Sequence, residues 1–367
     1  MKNLHLIVGA RPNYMKIAPL YNEFTKYPEL FKVKLIHTGQ HYDTNMSKLF
    51  FEDLSMPKPD IFLKVGSGSH GVQTARVIEK YEGYVSQQKP DLVIVAGDVN
   101  STLACALVAA KMCISVAHVE AGLRSFDRKM PEEINRLLTD QIADYLFTPS
   151  PDADENLSRE GISKDKIYYV GNIMIDSLIR HRDIANCSDI LNTLKLYQNR
   201  ITRYCLVTLH RPSNVDSLEG FTTILEALQT IGEDITIVFP MHPRTRKNVS
   251  AFHLETVLNS IPNLISTEPL GYLDFLKLEM NADFVISDSG GIQEETTFLQ
   301  IPCLTLRDNT ERPITITEGT NQLVALDTQK IVNAVQSILA GNRKIGSIPQ
   351  FWDGHTSERI VDILLKT

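Results

Sequence analysis

Short apolar runs recur along this chain, and most of them end in glycine and polar residues that lead into a helical pattern. Asp91–Ala96 reads DLVIVA and continues into GDVNST, and Phe284–Ser287 reads FVIS and continues into DSGG. Such runs, rich in β-branched residues and without polar alternation, are typical of strands buried on both faces of a parallel sheet. The repeated order of strand and helix therefore predicts an α/β protein.

The length of the chain predicts more than one core. Its 367 residues exceed the size of one ordinary domain, and the strand pattern restarts at Tyr204 after a polar segment. We expect two doubly wound, Rossmann-like domains facing a central cleft, with the bounds 1–172 and 173–350, and a C-terminal helix in 351–367 that packs back on the N-terminal domain.

Composition narrows the class of protein. A net charge of −7 and a pI near 5.8 argue against a nucleic-acid partner, which normally selects a basic face. Five cysteines without a CxxC pair predict free thiols in a reducing compartment. The N-terminal residues lack a signal-peptide pattern, and no apolar run approaches the ~18 residues of a membrane span. We expect a cytoplasmic protein without a membrane partner.

Two carboxylates follow buried strands directly. Asp98 follows the DLVIVA run, and Glu120 follows another apolar run beside two small residues. Ligands of open α/β sheets bind at the carboxyl ends of strands. A capping role is the alternative for Asp98. Glu132 lies in the first turn of a helix that Pro131 begins, four residues before Arg136, where a surface ion pair is an equally good interpretation.

The segment DSGGIQEE at 288–295 predicts a phosphate site. Gly290 and Gly291 allow close approach of a phosphate, Ser289 adds a hydroxyl, and the following helix directs its first N–H groups at the anion. Glu295, about a turn further on, is placed to accept hydrogen bonds from a ribose, as an acidic residue does in dinucleotide folds. A tight glycine turn under a helix is the structural alternative.

A second glycine turn, Gly9–Pro12, follows the first strand, and Arg11 and Lys16 would add positive charge there. The chain lacks the P-loop, GxGxxG, HExxH and GxSxG patterns, so we expect neither a nicotinamide cofactor nor a metal. Carboxylates and histidines facing a nucleoside diphosphate suit proton transfer coupled to loss of a phosphate leaving group.

Taken together and in order, the motifs resemble those of the non-hydrolysing UDP-N-acetylglucosamine 2-epimerases. The resemblance covers nearly the whole chain and implies an isomerase of GT-B fold that works as a homodimer without a cofactor. The segments that carry it are GARP with Lys16, GD at 97–98, HVEAGLR at 118–124, PEEINR at 131–136, HR at 210–211, HP at 242–243, DSGGIQEE at 288–295 and RDNTERP at 307–313.

The resemblance implies a chemistry. The C2 proton is removed, UDP leaves by anti elimination to give 2-acetamidoglucal, and UDP adds back after protonation of the opposite face. UDP-N-acetylglucosamine and UDP-N-acetylmannosamine are thereby interconverted, for bacterial surface polysaccharides. Asp98, Glu120 and Glu132 are the unranked acid/base candidates, and His210 is similar to the family's catalytic histidine.

The resemblance also implies how the substrate is held. The N-terminal domain would supply the acid/base groups and the sugar side, and the C-terminal domain would bind UDP, with Phe275 beside the uracil. The implied substrate-binding residues are Arg11, Lys16, Arg136, His242, Phe275, Ser289, Gly290, Gly291, Glu295 and Arg312.

One segment departs from the family pattern. Many members follow the catalytic histidine with Arg-Arg-Glu-Asn, whereas this chain has Arg211-Pro-Ser-Asn214. In bacterial members this neighbourhood, with the equivalents of Gln40 and His41, binds a second, activating UDP-N-acetylglucosamine, so Gln40, His41 and Arg211 are a possible activator site. Four alternatives stay open: a hydrolysing 2-epimerase, a 2-epimerase of a modified UDP-2-acetamido sugar, a GT-B glycosyltransferase, and a non-catalytic nucleotide-sugar sensor.

Overall fold

The computed structural model describes residues 1–39, 56–196 and 203–367, and only the backbone at residues 11–12. The chain divides into two compact units, residues 1–180 with 350–367 and residues 181–349. Each unit is a parallel sheet with flanking helices, which confirms the predicted α/β fold class.

The strands of the described residues are β1 (Lys2–Val8), β2 (Phe31–His37), β3 (Ile61–Phe62), β4 (Leu92–Ala96), β5 (Ser115–Val119), β6 (Tyr145–Thr148), β7 (Ile167–Tyr169), β8 (Tyr204–Thr208), β9 (Thr236–Pro240), β10 (Leu264–Thr267), β11 (Phe284–Ser287), β12 (Cys303–Thr305) and β13 (Asn321–Leu323).

The helices of the described residues are α1 (Arg11–Phe24), α2 (His70–Val85), α3 (Asn100–Lys111), α4 (Pro131–Ile142), α5 (Pro151–Arg159), α6 (Ile173–Asn186), α7 (Ile190–Thr193), α8 (Pro212–Val215), α9 (Leu218–Asp234), α10 (Pro243–Ala251), α11 (Glu255–Ser260), α12 (Tyr272–Asn281), α13 (Gly290–Leu299), α14 (Ile314–Thr317), α15 (Thr328–Leu339) and α16 (Thr356–Leu365).

The sheet of the N-terminal unit has the order β3-β2-β1-β4-β5-β6-β7, and all its pairs are parallel. The direction of winding reverses between β1 and β4, which are neighbours in the sheet but distant in sequence. In open α/β sheets this switch point leaves a crevice at the carboxyl ends of the two strands. Gly9 follows β1, and Gly97 and Asp98 follow β4, so these residues lie at the switch point.

The sheet of the C-terminal unit has the order β10-β9-β8-β11-β12-β13 and is also parallel throughout. Its switch point lies between β8 and β11. His210 comes shortly after β8, and Asp288 comes directly after β11. The second unit therefore also brings polar side chains to its switch point.

Alternating residues of β8 explain why its sequence is almost wholly apolar. Cys205 and Val207 belong to a buried cluster on one face of the sheet, whereas Tyr204 and Leu206 belong to a buried cluster on the other. Successive side chains of a strand point to opposite faces. A strand covered by helices on both faces must therefore be apolar at every position.

The last helix, α16, belongs to the N-terminal unit. The buried carboxylate of Asp176 accepts hydrogen bonds from the backbone N–H groups of Thr356 and Ser357, at 3.1 and 2.7 Å, and from the Ser357 hydroxyl at 2.7 Å. A carboxylate at this position satisfies N–H groups of the first helical turn that have no partner within the helix.

The helices in the described ranges are all too short or too polar to cross a bilayer.

Candidate active site

Asp98 is the acid/base candidate nearest the switch point of the N-terminal unit. Its carboxylate forms an ion pair with Arg136, and its side chain keeps 24% of its accessible surface. The backbone carbonyl of Asp98 accepts a hydrogen bond from Asn135 at 2.8 Å. Two adjacent residues of α4 therefore fix the side chain and the backbone of Asp98, while part of the carboxylate stays open to solvent.

Glu120 lies one strand away from Asp98, directly after β5, and has a left-handed backbone with a φ of 70°. Its side chain is 3% exposed and forms an ion pair with the Lys16 ammonium group, which is 7% exposed. Lys16 therefore neutralises a buried carboxylate, a contact that the sequence did not reveal.

Glu132 and Glu133 occupy the first turn of α4 but have different environments. Glu132 is half-buried and forms no ion pair with any described residue. Glu133 is buried; its carboxylate accepts hydrogen bonds from the Ser125 and Phe126 backbones, at 3.0 and 2.9 Å, and pairs with Arg136 at 2.7 Å. Burial favours a higher pKa for Glu133, but these donors hold its pKa below the ordinary value.

Sequence reasoning missed Glu133. The helix spacing drew attention to the pair Glu132 and Arg136, whereas the ion pair within the helix joins Glu133 to Arg136, three residues apart. Residues at both spacings are neighbours on a helix surface, so the pattern alone does not choose between them. The choice is made by the loop before α4, whose backbone N–H groups bind Glu133.

His210 and Asp288 meet at the switch point of the C-terminal unit. The Nδ1 atom of His210 lies 3.0 Å from the Asp288 carboxylate, and the backbone N–H groups of His210 and Arg211 donate to the same carboxylate at 3.1 and 3.0 Å. Burial would raise the pKa of Asp288, but these contacts hold it below the ordinary value. Asp288 thereby orients the His210 ring, which stays half-exposed.

The helix α13 begins directly after Ser289, so Gly290 and Gly291 are its first two residues. A Cβ atom added to Gly290 would lie 2.5 Å from an Arg312 guanidinium nitrogen, so only glycine permits that arginine to approach the helix N-terminus. Helix N-termini and arginines both attract anions. Arg312 itself is held by Glu294 at 2.8 Å.

A buried charge cluster supports Arg312. Glu311 binds Arg307 at 2.6 Å and also pairs with Arg312 and Arg211. Burial favours a higher pKa for Glu311, yet the three guanidinium groups hold its pKa well below the ordinary value. The cluster keeps three arginines beside α13, where they add to the positive potential of its N-terminus.

Glu295 is 3% exposed and accepts a hydrogen bond from the Tyr272 hydroxyl at 2.9 Å. A second carboxyl group, that of the fully buried Glu279, neighbours it. Burial, and next the charge of Glu295, raise the pKa of Glu279 well above the ordinary value. Both causes favour the protonated form of the Glu279 carboxyl group, a feature without a signal in the sequence.

The remaining predicted site residues differ in how near they lie to His210 and Asp288. Phe275 is half-buried on α12. His242 is exposed before α10, and its ring centre lies 5.4 Å from that of His210. The Arg211 side chain donates to the Asp288 carbonyl at 2.9 Å. Arg11 is the first residue of α1, and the predicted activator residues at positions 40 and 41 lie outside the described residues.

No group of three histidine, cysteine, aspartate or glutamate side chains that could hold a metal ion occurs among the described residues. The described groups instead form two sets: three candidate carboxylates in one unit, of which Asp98 and Glu120 pair with cations, and in the other unit a histidine and a helix N-terminus beside Arg312. The first set can exchange protons, and the second can bind an anionic phosphate.

Two parallel α/β units with these groups at their switch points define a two-domain protein of GT-B type. Comparison with known proteins then assigns the family: the sequence model of the UDP-N-acetylglucosamine 2-epimerases matches residues 23–365. The chain belongs to the UDP-N-acetylglucosamine 2-epimerase family, whose epimerases are isomerases.

Individual relatives are similar over their whole length. The UDP-N-acetylglucosamine 2-epimerase of Methanocaldococcus jannaschii is 46% identical over 98% of both chains. The UDP-2,3-diacetamido-2,3-dideoxy-D-glucuronate 2-epimerase of Pseudomonas aeruginosa is 39% identical, again over 98% of both. The crystal structure of the M. jannaschii enzyme in complex with UDP-GlcNAc and UDP superposes with a TM-score of 0.91 at 45% identity, covering 100% of both chains.

Proposed function

We propose that this chain catalyses the reversible epimerisation at C2 of UDP-N-acetylglucosamine to UDP-N-acetylmannosamine. The observation that carries the proposal is a set of three carboxylates: Asp98 and Glu120, which follow the neighbouring strands β4 and β5, and Glu132 in α4, the helix whose Arg136 pairs with Asp98. A C2 proton next to an acetamido group is weakly acidic, so its removal requires a well-placed base. Family membership supports the same activity.

The proposed reaction has two halves. A carboxylate accepts the C2 proton, the electron pair of the broken C–H bond forms a C1=C2 double bond, and the C1–O bond breaks with its electrons on UDP. The intermediate is 2-acetamidoglucal. UDP then adds back through a β-phosphate oxygen to C1, while an acid protonates C2 from the opposite face.

Glu120 and Glu132 suit different halves of this reaction. Glu120 forms a buried ion pair with the Lys16 ammonium group. Glu132 has no cationic partner among the described residues. Epimerisation requires a proton acceptor on one face of the sugar and a donor on the other, and two carboxyl groups in unlike environments can supply both.

The C-terminal unit is the proposed UDP side. Ser289, Gly290 and the first N–H groups of α13 would bind the phosphates, and the guanidinium of Arg312 would neutralise them. His210, oriented by Asp288, would stabilise the departing UDP. The substrate-binding role implied by the resemblance is proposed for seven further residues: Gly291, Glu295, Phe275, His242, Arg11, Lys16 and Arg136. The activator role is proposed for Gln40, His41 and Arg211.

A second substrate has specific support. The P. aeruginosa relative is named for a diacetamido-dideoxy-glucuronate sugar and is 39% identical to this chain. A modified UDP-2-acetamido sugar therefore belongs in the first substrate panel. Assembly as a homodimer, a cytoplasmic location and a role in surface polysaccharide synthesis stay predictions from the sequence and its resemblance.

Proton NMR of the purified protein with UDP-N-acetylglucosamine in deuterium oxide tests the proposal. We expect deuterium at C2 and the appearance of UDP-N-acetylmannosamine, with UDP still attached to the sugar. Free N-acetylmannosamine with UDP would instead identify a hydrolysing enzyme. Absence of exchange with either UDP sugar, despite binding of UDP, would contradict the epimerase and favour a sensor.

A further inference from the structure

His118 lies in β5, two residues before Glu120, and its side chain has no exposed surface. Its Nδ1 atom is 2.6 Å from a carboxylate oxygen of Asp140 on α4. Its Nε2 atom is 2.8 Å from the backbone carbonyl oxygen of Gly97, at the end of β4. The parallel register, which places His118 opposite Val95, brings the ring within reach of Gly97.

Both partners of the ring accept hydrogen bonds. A backbone carbonyl has no proton to give, so Nε2 must carry one. Asp140 also accepts from the Gly122 N–H at 3.1 Å and pairs with Arg124 at 2.7 Å, which favours its ionised form. Nδ1 must therefore also donate.

The surrounding charges accommodate a cationic ring. Arg124 continues the cluster by binding Glu160 at 2.8 and 2.7 Å through two guanidinium nitrogens. The four side chains then comprise two cations, His118 and Arg124, and two carboxylates, Asp140 and Glu160. A buried ionic group persists when it is paired and fully hydrogen-bonded, and a protonated His118 makes this cluster neutral.

The cluster ties together the three segments that carry the acid/base candidates. The Gly97 carbonyl belongs to the peptide group that precedes Asp98. The Gly122 N–H lies two residues after Glu120. Asp140 itself is part of α4, whose first turn carries Glu132. One imidazole–carboxylate pair therefore links β4, which precedes Asp98, and β5, which precedes Glu120, to α4, whose first turn carries Glu132.

We propose that His118 is a doubly protonated positioning residue, which through Gly97 and Asp140 fixes the relative placement of Asp98, Glu120 and Glu132 for proton transfer. Its catalytic consequence rests on the proposed epimerase function. Its protonation and hydrogen bonds do not, because they follow from the interior of the N-terminal unit alone.

Two uncharged substitutions test the positioning role. In His118→Asn the side-chain amide replaces the Nδ1 donor to Asp140, and the contact with the Gly97 carbonyl is lost. In His118→Gln the longer side chain brings the amide towards the Gly97 carbonyl, and the contact with Asp140 is lost. We expect kcat for C2 exchange to fall by about 10- to 100-fold in both, because small displacements of catalytic groups have effects of this size. KM and UDP affinity should change less than twofold.

The matched control is His5→Asn. His5 is also a buried histidine on a strand of the same sheet, but its Nδ1 atom lies 3.0 Å from the Tyr81 hydroxyl and its ring packs against Tyr81 and Tyr84 of α2. We expect His5→Asn to lower Tm comparably while kcat stays near the wild-type value. Wild-type kcat in both His118 variants, or an equal loss in the control, would overturn the positioning role.

The protonation is tested without turnover, by long-range 1H–15N correlation of [15N]histidine-labelled wild-type protein at pH 7.5. We expect both ring nitrogens of His118 to carry protons. His5, whose pKa burial and next Lys34 lower to about 4, should show only one protonated nitrogen. An unprotonated nitrogen on His118 would overturn the inference even if the His118 variants fail to fold. Failure of the wild-type enzyme to act on UDP sugars would instead count against the proposed function.

Discussion

Lys16 on α1 pairs with Glu120 at the end of β5, and both side chains are almost completely buried. Four strands, β2 to β5, and two helices, α2 and α3, lie between the two residues in the described sequence. The contact arises because β1, which precedes α1, is separated from β5 in the sheet only by β4. An ammonium group thus neutralises the carboxylate that the sequence identifies as an acid/base candidate.

Replacing the cation should destabilise the protein. In Lys16→Met, Glu120 keeps a buried charge without this partner, and breaking such a pair costs about 3–5 kcal/mol. Urea unfolding measures the loss. The double variant Lys16→Met with Glu120→Gln should recover much of it and yet stay inactive, since it lacks the carboxylate. Wild-type stability of Lys16→Met would show that Glu120 does not depend on the pair.

Neutralising the acid/base candidates should separate turnover from binding. Asp98→Asn and Glu120→Gln should each reduce C2 exchange at least about 10²-fold, the lower range for lost general acid/base catalysis. UDP affinity, measured by calorimetry, should stay nearly unchanged because UDP is assigned to the other unit. Glu155→Gln, at an exposed ion pair, serves as the control and should keep full turnover. Normal turnover in both site variants would refute the assignment.

The proposed phosphate site predicts that substitutions at the adjacent residues Ser289 and Gly290 weaken UDP binding. Ser289→Ala should weaken UDP binding through loss of a hydroxyl contact. Gly290→Ala should weaken it further, by about tenfold or more, because the new methyl group would displace Arg312. Gly83→Ala is the control, since a Cβ atom on that helical glycine would meet nothing within 4 Å. Equal UDP affinity in the Ser289, Gly290 and control variants would exclude a phosphate site there.

The lowered pKa of Asp288 predicts that this carboxylate stabilises the folded protein more at neutral pH than at acidic pH. Its pKa is lower in the folded protein than in the unfolded chain, so it contributes stability above the unfolded carboxyl pKa of about 3.9. That contribution disappears as the pH falls through the folded pKa. Tm of Asp288→Asn should therefore lie furthest below the wild type near pH 7 and converge with it below about pH 4. Asp183→Asn, 88% exposed in the wild type, should show no such gap; a pH-independent gap for Asp288→Asn would contradict the prediction.

The raised pKa of Glu279 predicts the opposite pH dependence, in which stability decreases as the pH rises. Its pKa is raised in the folded protein, which binds a proton that the unfolded chain releases above about pH 4.3. Stability is therefore lost as the pH rises from that value towards the folded pKa. Glu279→Gln has no proton to take up, so its Tm should exceed the wild-type value at pH 7 by several degrees and match it near pH 4. Glu233→Gln, on the exposed face of α9, should leave Tm unchanged at both pH values. A Glu279→Gln variant less stable than the wild type at pH 7 would show that Glu279 is ionised.

The sequence was most informative about candidate site residues that lie at the carboxyl ends of strands. Apolar runs followed by glycine and polar residues identified β4, β5 and β11, and with them Asp98, Glu120 and the segment around Ser289. These predictions depend on local patterns, because parallel strands buried on both faces have little freedom in composition and their carboxyl ends share one edge.

Only the tertiary structure decided which side chains are partners. Glu133 rather than Glu132 binds the loop before α4, Lys16 reaches Glu120, and His118 joins Gly97 to Asp140 across β4, β5 and α4. Such contacts join residues that lie from 7 to 104 positions apart in the sequence. Their geometry depends on strand order, register and helix packing, which are properties of the whole folded chain, whereas strand propensity and turn chemistry are properties of a few adjacent residues.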